Sequence, residues 1–289
     1  MKKSSVCRRA TVVLPLLLLA SALPSSTLTA QLSAQMAVRR DTIARYADAP
    51  LFTSGDAALA AGFVGLTVAM FPLDKTIARR LAHDTLQYPG RNTTATDIEY
   101  LAVPGVLILA PALYAYGRFG HHPVVEDVGL HTTEALVLAT GITSVLKGVL
   151  GRSRPYVTHD SLPNDFHFGK GFSGEDNASF PSTHTAVAFA AASSLTSELA
   201  REWPGHTWFV APVTYGTATL VGLARMYTDK HWASDVAFGA GFGVFSGLKV
   251  VRYAHAHPDN YVDRVLLHTT LAPDGRGATL VGWTTAAPR

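Results

Sequence analysis

Long apolar stretches separated by more polar segments dominate the chain between residues 57 and 251. Six such stretches recur, at Ala57–Leu73, Leu101–Gly117, Gly129–Leu150, Thr183–Ala200, Thr207–Ala224 and Ala233–Val251. Each one is much longer than an ordinary β-strand but has the length of a buried helix. The pattern therefore predicts an all-α protein, a helical bundle of about six core helices.

Local signals mark the ends of these predicted helices. Ser54 or Asp56 is a suitable cap for the first helix, because short polar side chains accept bonds from the free N–H groups of a first turn. Thr96 and Glu99 have the spacing of a capping box before the second helix. Helix-breaking residues follow the later helices, at Pro155, Pro204 and Gly205.

The two ends of the chain have a different character from the bundle. At the C-terminus, alternating residues in Arg264–Leu271 and Ala278–Thr284, joined by Pro273–Gly277, predict a short β-hairpin within a tail at 258–289. At the N-terminus, basic residues precede the apolar run Ala10–Leu23, which predicts a signal peptide at 1–30. An uncleaved anchor helix is the alternative, and residues 31–55 are interpreted as a linker with one amphipathic segment.

Composition narrows the class of function. Apolar residues make up 48% of the chain and charged residues 16%, with a net charge of +3. Because the basic residues do not cluster into a patch and match no known nucleic-acid-binding motif, nucleic-acid binding is not expected. Cys7 is the only cysteine, so a disulfide framework and a cysteine-ligated metal site are both excluded.

The relation to the membrane follows from the same stretches. Several of the apolar stretches are near the lower limit of length for crossing a bilayer. Polar runs such as His131–Glu134 and Ser193–Glu198 suggest helices with one solvent-exposed polar face. If all six crossed after a cleaved signal, the loops after the third and fifth helices would face the cytoplasm. The sequence therefore favours an exported, periplasmic or envelope-associated bundle, with an integral inner-membrane protein as the alternative.

Candidate chemistry begins with the segment Arg225–Asp235. Asp235 follows His231 by four residues, so on a helix that opens near His231 both side chains would leave from one face. A carboxylate on Nδ1 fixes the tautomer of an imidazole and leaves Nε2 free as base, nucleophile or ligand. Arg225 adds a planar, positively charged guanidinium, which is suited to binding a phosphate-like anion.

Two further segments carry similar groups. Lys147 and Arg154 lie two helical turns apart at the end of the third helix, whereas Arg152 is interpreted as a complement to the helix dipole. Ser182 is a natural N-cap of the fourth helix and precedes Thr183 and His184. The free N–H groups of that turn are suited to binding an anion beside a titratable ring.

The order and spacing of these groups resemble the signature of the type 2 phosphatidic acid phosphatase family, which includes bacterial acid phosphatases and vanadium haloperoxidases. The resemblance rests on Lys-x6-Arg-Pro at 147–155, Pro-Ser-x-His at 181–184 and Arg-x5-His-x3-Asp at 225–235. It covers roughly residues 129–251, the catalytic core of a helical domain at 56–257. The family commonly has glycine where Thr183 stands and serine where Ala224 stands.

This resemblance implies a phosphatase mechanism without a metal. His231 would attack phosphorus and form a phosphohistidine, with Asp235 orienting its ring, and His184 would protonate the leaving oxygen and later activate water. The phosphate oxygens would be held by Lys147, Arg154, Ser182, Thr183 and Arg225.

The resemblance leaves the substrate open between a phosphorylated lipid and a small phosphate ester, with the membrane surface as the expected setting. The alternatives are a haloperoxidase with vanadate as cofactor and a non-catalytic phospholipid-binding envelope protein. Two histidine pairs, His121-His122 and His255-x-His257, are interpreted as surface loops, because neither has a third ligand nearby in sequence.

Overall fold

The computed structural model describes residues 50–87, 89–257, 260–266, 269–273 and 279–283. The predicted signal peptide and residues 31–49 of the predicted linker lie outside the described residues. The helices of the described part are α1 Ser54–Met70, α2 Asp74–Gln87, α3 Pro89–Gly120, α4 Pro123–Leu150, α5 Thr183–Glu202, α6 Thr207–Tyr227, α7 Ala233–Ala256 and α8 Tyr261–Leu266. The predicted helical architecture is confirmed, and α2 is a further helix that its charged sequence concealed.

Helix α5 lies at the centre of the bundle and packs against α4, α6 and α7. Its contact with α7 depends on three glycines spaced four residues apart, Gly239, Gly243 and Gly247. A β-carbon at Gly243 would lie 2.3 Å from the carbonyl oxygen of Ala186 on α5. Only glycine permits so close an approach of two helices. This packing brings the N-termini of α5 and α7 side by side.

The predicted caps differ from those in the structure. Thr53 is the N-cap of α1, and it forms a capping box with Asp56, whose Oδ2 accepts a bond from the Thr53 N–H at 2.7 Å. The prediction of Ser54 as a cap is therefore wrong. Thr96 and Glu99 form no capping box, because α3 already begins at Pro89 and contains both residues. Proline is well suited to that first helical position, where no N–H is needed.

Polar residues that suggested a solvent-exposed polar face point into the bundle instead. Ser193 and Ser194 are fully buried, and Glu198 is 2% exposed. Thr132 of α4 donates to Ser194 at 3.2 Å, and Ser193 donates to the carbonyl oxygen of Val244 on α7 at 3.0 Å. The prediction of a solvent-exposed polar face on α5 is therefore wrong, because hydrogen bonds between helices satisfy these groups.

The outward surface is apolar over much of its area. Ile108 of α3, Val137 of α4 and Trp208 of α6 are 71%, 67% and 78% exposed. Within the described residues, four segments are long and apolar enough to cross a membrane, namely Ser54–His83, Asn92–Gly120, Pro123–Leu150 and Ala233–Ala256. A surface of this kind is stable in lipid and unfavourable in water. The protein is membrane-associated, whereas its export stays a prediction.

The C-terminal region contains strand structure after α8. Among the described residues, strands β1 Thr269–Pro273 and β2 Thr279–Trp283 pair antiparallel, with Thr269 opposite Trp283. Residues 274–278, which would form the turn, lie outside the described residues. The prediction that the first strand begins at Arg264 is wrong, because residues up to Leu266 belong to α8. The hairpin as a unit stays a prediction, and so does its packing against the bundle.

Candidate active site

Helix ends from distant parts of the chain meet at one end of the bundle. The C-termini of α4 and α6 lie beside the N-termini of α5 and α7, and the Ser182 N–H donates to the carbonyl oxygen of Asp235 at 3.2 Å. Helix α4 stops at Gly151, which has a left-handed φ of 61°. A β-carbon there would lie 1.8 Å from the carbonyl oxygen of His167, so only glycine allows the chain to turn back across the site.

The N-terminus of α5 has the predicted cap. Ser182 Oγ accepts a bond from the Thr185 N–H at 3.4 Å and lies 2.9 Å from Thr185 Oγ1. The next two residues, Thr183 and His184, form the half-buried first turn, where backbone N–H groups have no acceptor within the helix. This turn is suited to binding an anion, as its sequence predicts.

His231 lies in the turn before α7, which begins at Ala233, the first residue of the predicted stretch. Its Nδ1 is 3.4 Å from Asp235 Oδ2, and both side chains are fully buried. Asp235 Oδ2 also accepts bonds from the Trp232 N–H at 2.9 Å and from Ser179 Oγ at 2.5 Å. The predicted pairing is thus present, although it arises from a capping turn and not from one face of a helix.

The other ring nitrogen of His231 is available for chemistry. Nε2 is buried and has no hydrogen-bond partner among the described residues. Burial lowers the pKa of His231 well below its usual value; Asp235 opposes this change, and the charges of Arg225 and Lys147 reinforce it. The imidazole is therefore neutral at physiological pH, with a free lone pair on Nε2.

The predicted cations surround the same space. Arg154 is held by bonds from its Nε to the Glu175 carbonyl oxygen at 2.7 Å and from its backbone N–H to Asp176 at 2.9 Å. Lys147 is half-buried one turn before the end of α4. Desolvation together with the charges of Arg225, Lys147 and Arg154 lowers the pKa of His184 to about 3. Cations from two separate parts of the sequence, residues 147–154 and Arg225, thus act on one histidine.

Arg225 depends on a residue outside the motif. Its Nη1 donates to Glu99 Oε2 of α3 at 2.6 Å, and Glu99 also accepts a bond from Thr228. This contact explains why Glu99 is buried within α3 and serves no cap. An arginine anchored by a carboxylate through one Nη keeps its remaining donors in a fixed position. Glu99 thereby fixes the guanidinium of Arg225 at the end of α6.

Arg152 has a role that the sequence analysis missed, and its interpretation as a complement to the helix dipole is wrong. The side chain is fully buried, and the guanidinium donates to Asp74 Oδ2 at 2.7 Å, to Ser234 Oγ at 2.7 Å and to Asp235 Oδ1. Asp74, the first residue of α2, also accepts bonds from the N–H and hydroxyl of Ser234 at 2.8 and 2.6 Å. This network fixes the carboxylate that faces His231.

Residues 129–259, which include all the groups that surround the anion site except Glu99 and Asp74, match the model of the PAP2 superfamily. These residues belong to the PAP2 superfamily. The predicted family is thereby confirmed, and the PAP2 region extends eight residues beyond the predicted core.

Two known proteins show similarity beyond the family model. The lipid A 1-phosphatase of Porphyromonas gingivalis is 26% identical over 162 residues, which cover 56% of this chain and 32% of that protein. The chain thus matches about a third of the length of that curated relative. The crystal structure of a transmembrane PAP2-type phosphatidylglycerolphosphate phosphatase from Bacillus subtilis has 24% sequence identity and a TM-score of 0.49, covering 68% of this chain and 93% of that one.

The two histidine pairs outside the PAP2 motifs have different surroundings. His121 and His122 are exposed between α3 and α4, as predicted for a surface loop. His255 instead lies in the last turn of α7, and its Nε2 is 2.9 Å from Glu198 Oε2. The prediction of a surface loop is therefore wrong for His255, because the fold supplies partners that are far away in sequence. His257 stacks on Tyr253.

Proposed function

We propose that this chain is a membrane-associated lipid phosphate phosphatase that transfers the phosphoryl group first to His231 and then to water. The observation that carries the proposal is the free, buried Nε2 of His231 near three cations, two from the end of α4 and the segment after it and one from the end of α6. A neutral imidazole with a fixed tautomer is a competent nucleophile. The matching PAP2 region supports a phosphatase as the class of enzyme.

The first step forms a bond between Nε2 of His231 and phosphorus while the bond from phosphorus to the leaving oxygen breaks. Asp235 balances the positive charge that the ring acquires, and its own position is fixed by Arg152. His184 gives a proton to the leaving oxygen. In the second step water attacks phosphorus, His184 takes a proton from that water, and the phosphorus–nitrogen bond breaks. Inorganic phosphate and the dephosphorylated alcohol are the products.

The charge of the transferring group is balanced by the protein itself. Lys147, Arg154 and Arg225 provide positive charges, and the N–H groups of Thr183 and His184 provide donors at the N-terminus of α5. Phosphoryl transfer depends mainly on positioning and on electrostatic stabilisation of the equatorial oxygens. Because this set supplies both, we propose that the reaction needs no added metal or other cofactor.

The surroundings of the site favour a lipid as the leaving group. Val145 and Val149 lie within two residues of Lys147 on α4 and are 58% and 46% exposed. On α6, Leu223 lies two residues before Arg225 and is 50% exposed. Residues two apart on a helix point to nearly opposite sides, so these apolar faces lie at the same level of the bundle as the cations but on the outer side of each helix. We infer that a phosphate headgroup reaches the cations at this level while its acyl chains stay in lipid.

The proposed substrate class is tested by comparing lipid and water-soluble phosphates under the same conditions. We expect the full chain in detergent to release phosphate from a diacylglycerol phosphate in mixed micelles at least tenfold faster, by kcat/KM, than from a soluble aryl phosphate. EDTA should leave the rate unchanged. Equal kcat/KM values for the two substrates would contradict lipid specificity. Loss of activity in EDTA, in protein that still elutes from gel filtration as the untreated protein does, would contradict the metal-free mechanism.

The low pKa of His184 leads to a prediction about pH. With a pKa of about 3 the free site holds His184 neutral, whereas a bound dianion offsets the three cations and raises that pKa. The bound state then holds more protons than the free state, so anion binding should strengthen as pH falls through the pKa of the complex. Sulfate suits the calorimetric measurement because it remains a dianion between about pH 8 and pH 5.

In that titration we expect the sulfate affinity of the parent protein to increase toward pH 5. His184→Gln keeps a polar side chain but removes the titrating group, so its sulfate affinity should change much less over the same range. A parent affinity that is constant with pH, or a His184→Gln variant that keeps the full dependence, would show that His184 does not take up the proton.

A further inference from the structure

A second group of ionisable side chains, three of them buried and one partly buried, lies at the other end of α5 from the active site. Its members come from four helices: His131 of α4, Glu198 of α5, His255 of α7 and Asp263 of α8. Glu198 lies 14 residues after His184 on α5, which is about 21 Å at a rise of 1.5 Å per residue. None of these residues takes part in the proposed phosphatase chemistry.

The side chains converge on one point. His131 Nδ1 is 2.5 Å from Glu198 Oε1, and His255 Nε2 is 3.0 and 2.9 Å from the two carboxylate oxygens of Glu198. Ligand atoms of these three residues all lie within 4.8 Å of one another. Bonds of about 2.0–2.2 Å to a tetrahedral zinc ion place ligand atoms roughly 3.4 Å apart. Opening the two contacts of Glu198 by less than 1 Å would therefore admit an ion.

Two atoms of the cluster have unmet hydrogen-bonding capacity. His131 Nε2 and Asp263 Oδ1 are buried without a hydrogen-bond partner among the described residues, and they lie 3.8 Å apart. The two residues are only 2% and 3% exposed. A histidine that binds a metal through Nδ1 carries its proton on Nε2, and a carboxylate typically accepts that proton's hydrogen bond. Asp263 lies where such a partner is needed.

The charge of the cluster also calls for a cation. With neutral imidazoles the two carboxylates give a charge of −2, surrounded by helices whose outer faces are apolar. An uncompensated buried charge costs several kcal/mol. A single divalent cation reduces the net charge to zero. Protonation of both histidines is the other way to make the cluster neutral. Measurement of bound zinc distinguishes a bound cation from two protonated histidines.

We propose that His131, Glu198 and His255 bind a divalent transition-metal ion, with Asp263 orienting His131. Two imidazoles and one carboxylate are a ligand set that suits zinc, with a fourth position left for water. The ion would join α4, α5 and α7 at the end of the bundle away from the phosphate, and through Asp263 it would hold α8. It would thus be structural and would leave the metal-free phosphatase reaction unchanged.

The test measures zinc bound to the full chain in detergent, purified through an affinity tag that contains no histidine. After treatment with EDTA, addition of zinc and removal of the excess, we expect about one zinc per chain by mass spectrometry. Zinc should also raise the midpoint of thermal unfolding, because it binds the folded state. His255→Gln and Glu198→Gln should each retain less than a tenth of the zinc and lose the shift in midpoint.

His206→Gln is the matched control, since His206 is an exposed histidine at the same end of the bundle, between α5 and α6. It should bind as much zinc as the parent chain. His255 is partly exposed, so its glutamine variant should elute from gel filtration as the parent does, and zinc is counted only on that folded fraction. Parent protein without stoichiometric zinc, or equal loss in the His206 and His255 variants, would overturn the proposal and leave a protonated ion-pair cluster.

Discussion

Replacing His231 with alanine is expected to abolish release of phosphate from lipid phosphates. The proposed mechanism has no other nucleophile, because Nε2 of His231 is the free ring nitrogen that faces the cations. Loss of a covalent nucleophile typically lowers kcat by about 10⁴-fold or more, which corresponds to roughly 5 kcal/mol of transition-state stabilisation. Phosphate release under multiple turnover measures this effect directly.

The His231→Ala variant should still bind sulfate, since Lys147, Arg154 and Arg225 remain in place. His206→Ala serves as the control for removal of a histidine, and its rate should equal that of the parent. A His231→Ala protein that turns over lipid phosphate within tenfold of the parent rate would show that the nucleophile lies elsewhere. Retained sulfate binding with lost turnover would separate chemistry from binding.

The second large effect is expected at Arg152, which contacts no phosphate in the proposed site. Lysine preserves the charge but cannot bridge Asp74, Ser234 and Asp235 at the same time, because it has one nitrogen in place of a planar fork. Asp235 would then lose its fixed position behind His231. Displacement of a catalytic group by about 1 Å can cost about 10²-fold, so we expect kcat of Arg152→Lys to fall by that factor.

The kinetic pattern distinguishes positioning from general damage. KM and sulfate affinity should change little, because the cations at the anion site are untouched. Arg252→Lys is the control, since Arg252 pairs with Asp56 far from the phosphate, and its kcat should be that of the parent. Unchanged kcat in a folded Arg152→Lys protein would show that Arg152 does not position Asp235.

Arg152→Met is less informative than Arg152→Lys, because two buried carboxylates without a cation cost roughly 3–5 kcal/mol of folding stability.

Structural features that depend on residues close together in the sequence could be predicted. Ser182 was identified as a cap because a helix N-terminus needs a side-chain acceptor, and the pairing of His231 with Asp235 followed from their spacing. Long apolar stretches likewise predicted α1 and α3 to α7, but not the charged α2 or the short α8. These features depend on periodicity and on neighbours within one turn, both of which are visible in one sequence.

Residues that act across the fold were not predictable in this way. Asp74 precedes Arg152 by 78 residues, and Glu99 precedes Arg225 by 126, so no local pattern connects either pair. Both acids lie outside the matched PAP2 region. The prediction of a solvent-exposed polar face on α5 was wrong for a related reason. A polar stripe on a helix has the same sequence pattern whether its hydrogen-bonding groups are satisfied by water or by neighbouring helices.

Detection of a phosphorylated His231 tests the central claim most directly. A radiolabelled lipid phosphate is mixed with enzyme, the reaction is stopped within milliseconds in alkali, where phosphohistidine is stable, and the labelled peptide is identified by mass spectrometry. We expect label on His231 that disappears on addition of unlabelled substrate and is absent from His231→Ala. Turnover without a labelled enzyme, or label on another residue that is consumed at the rate of turnover, would contradict it.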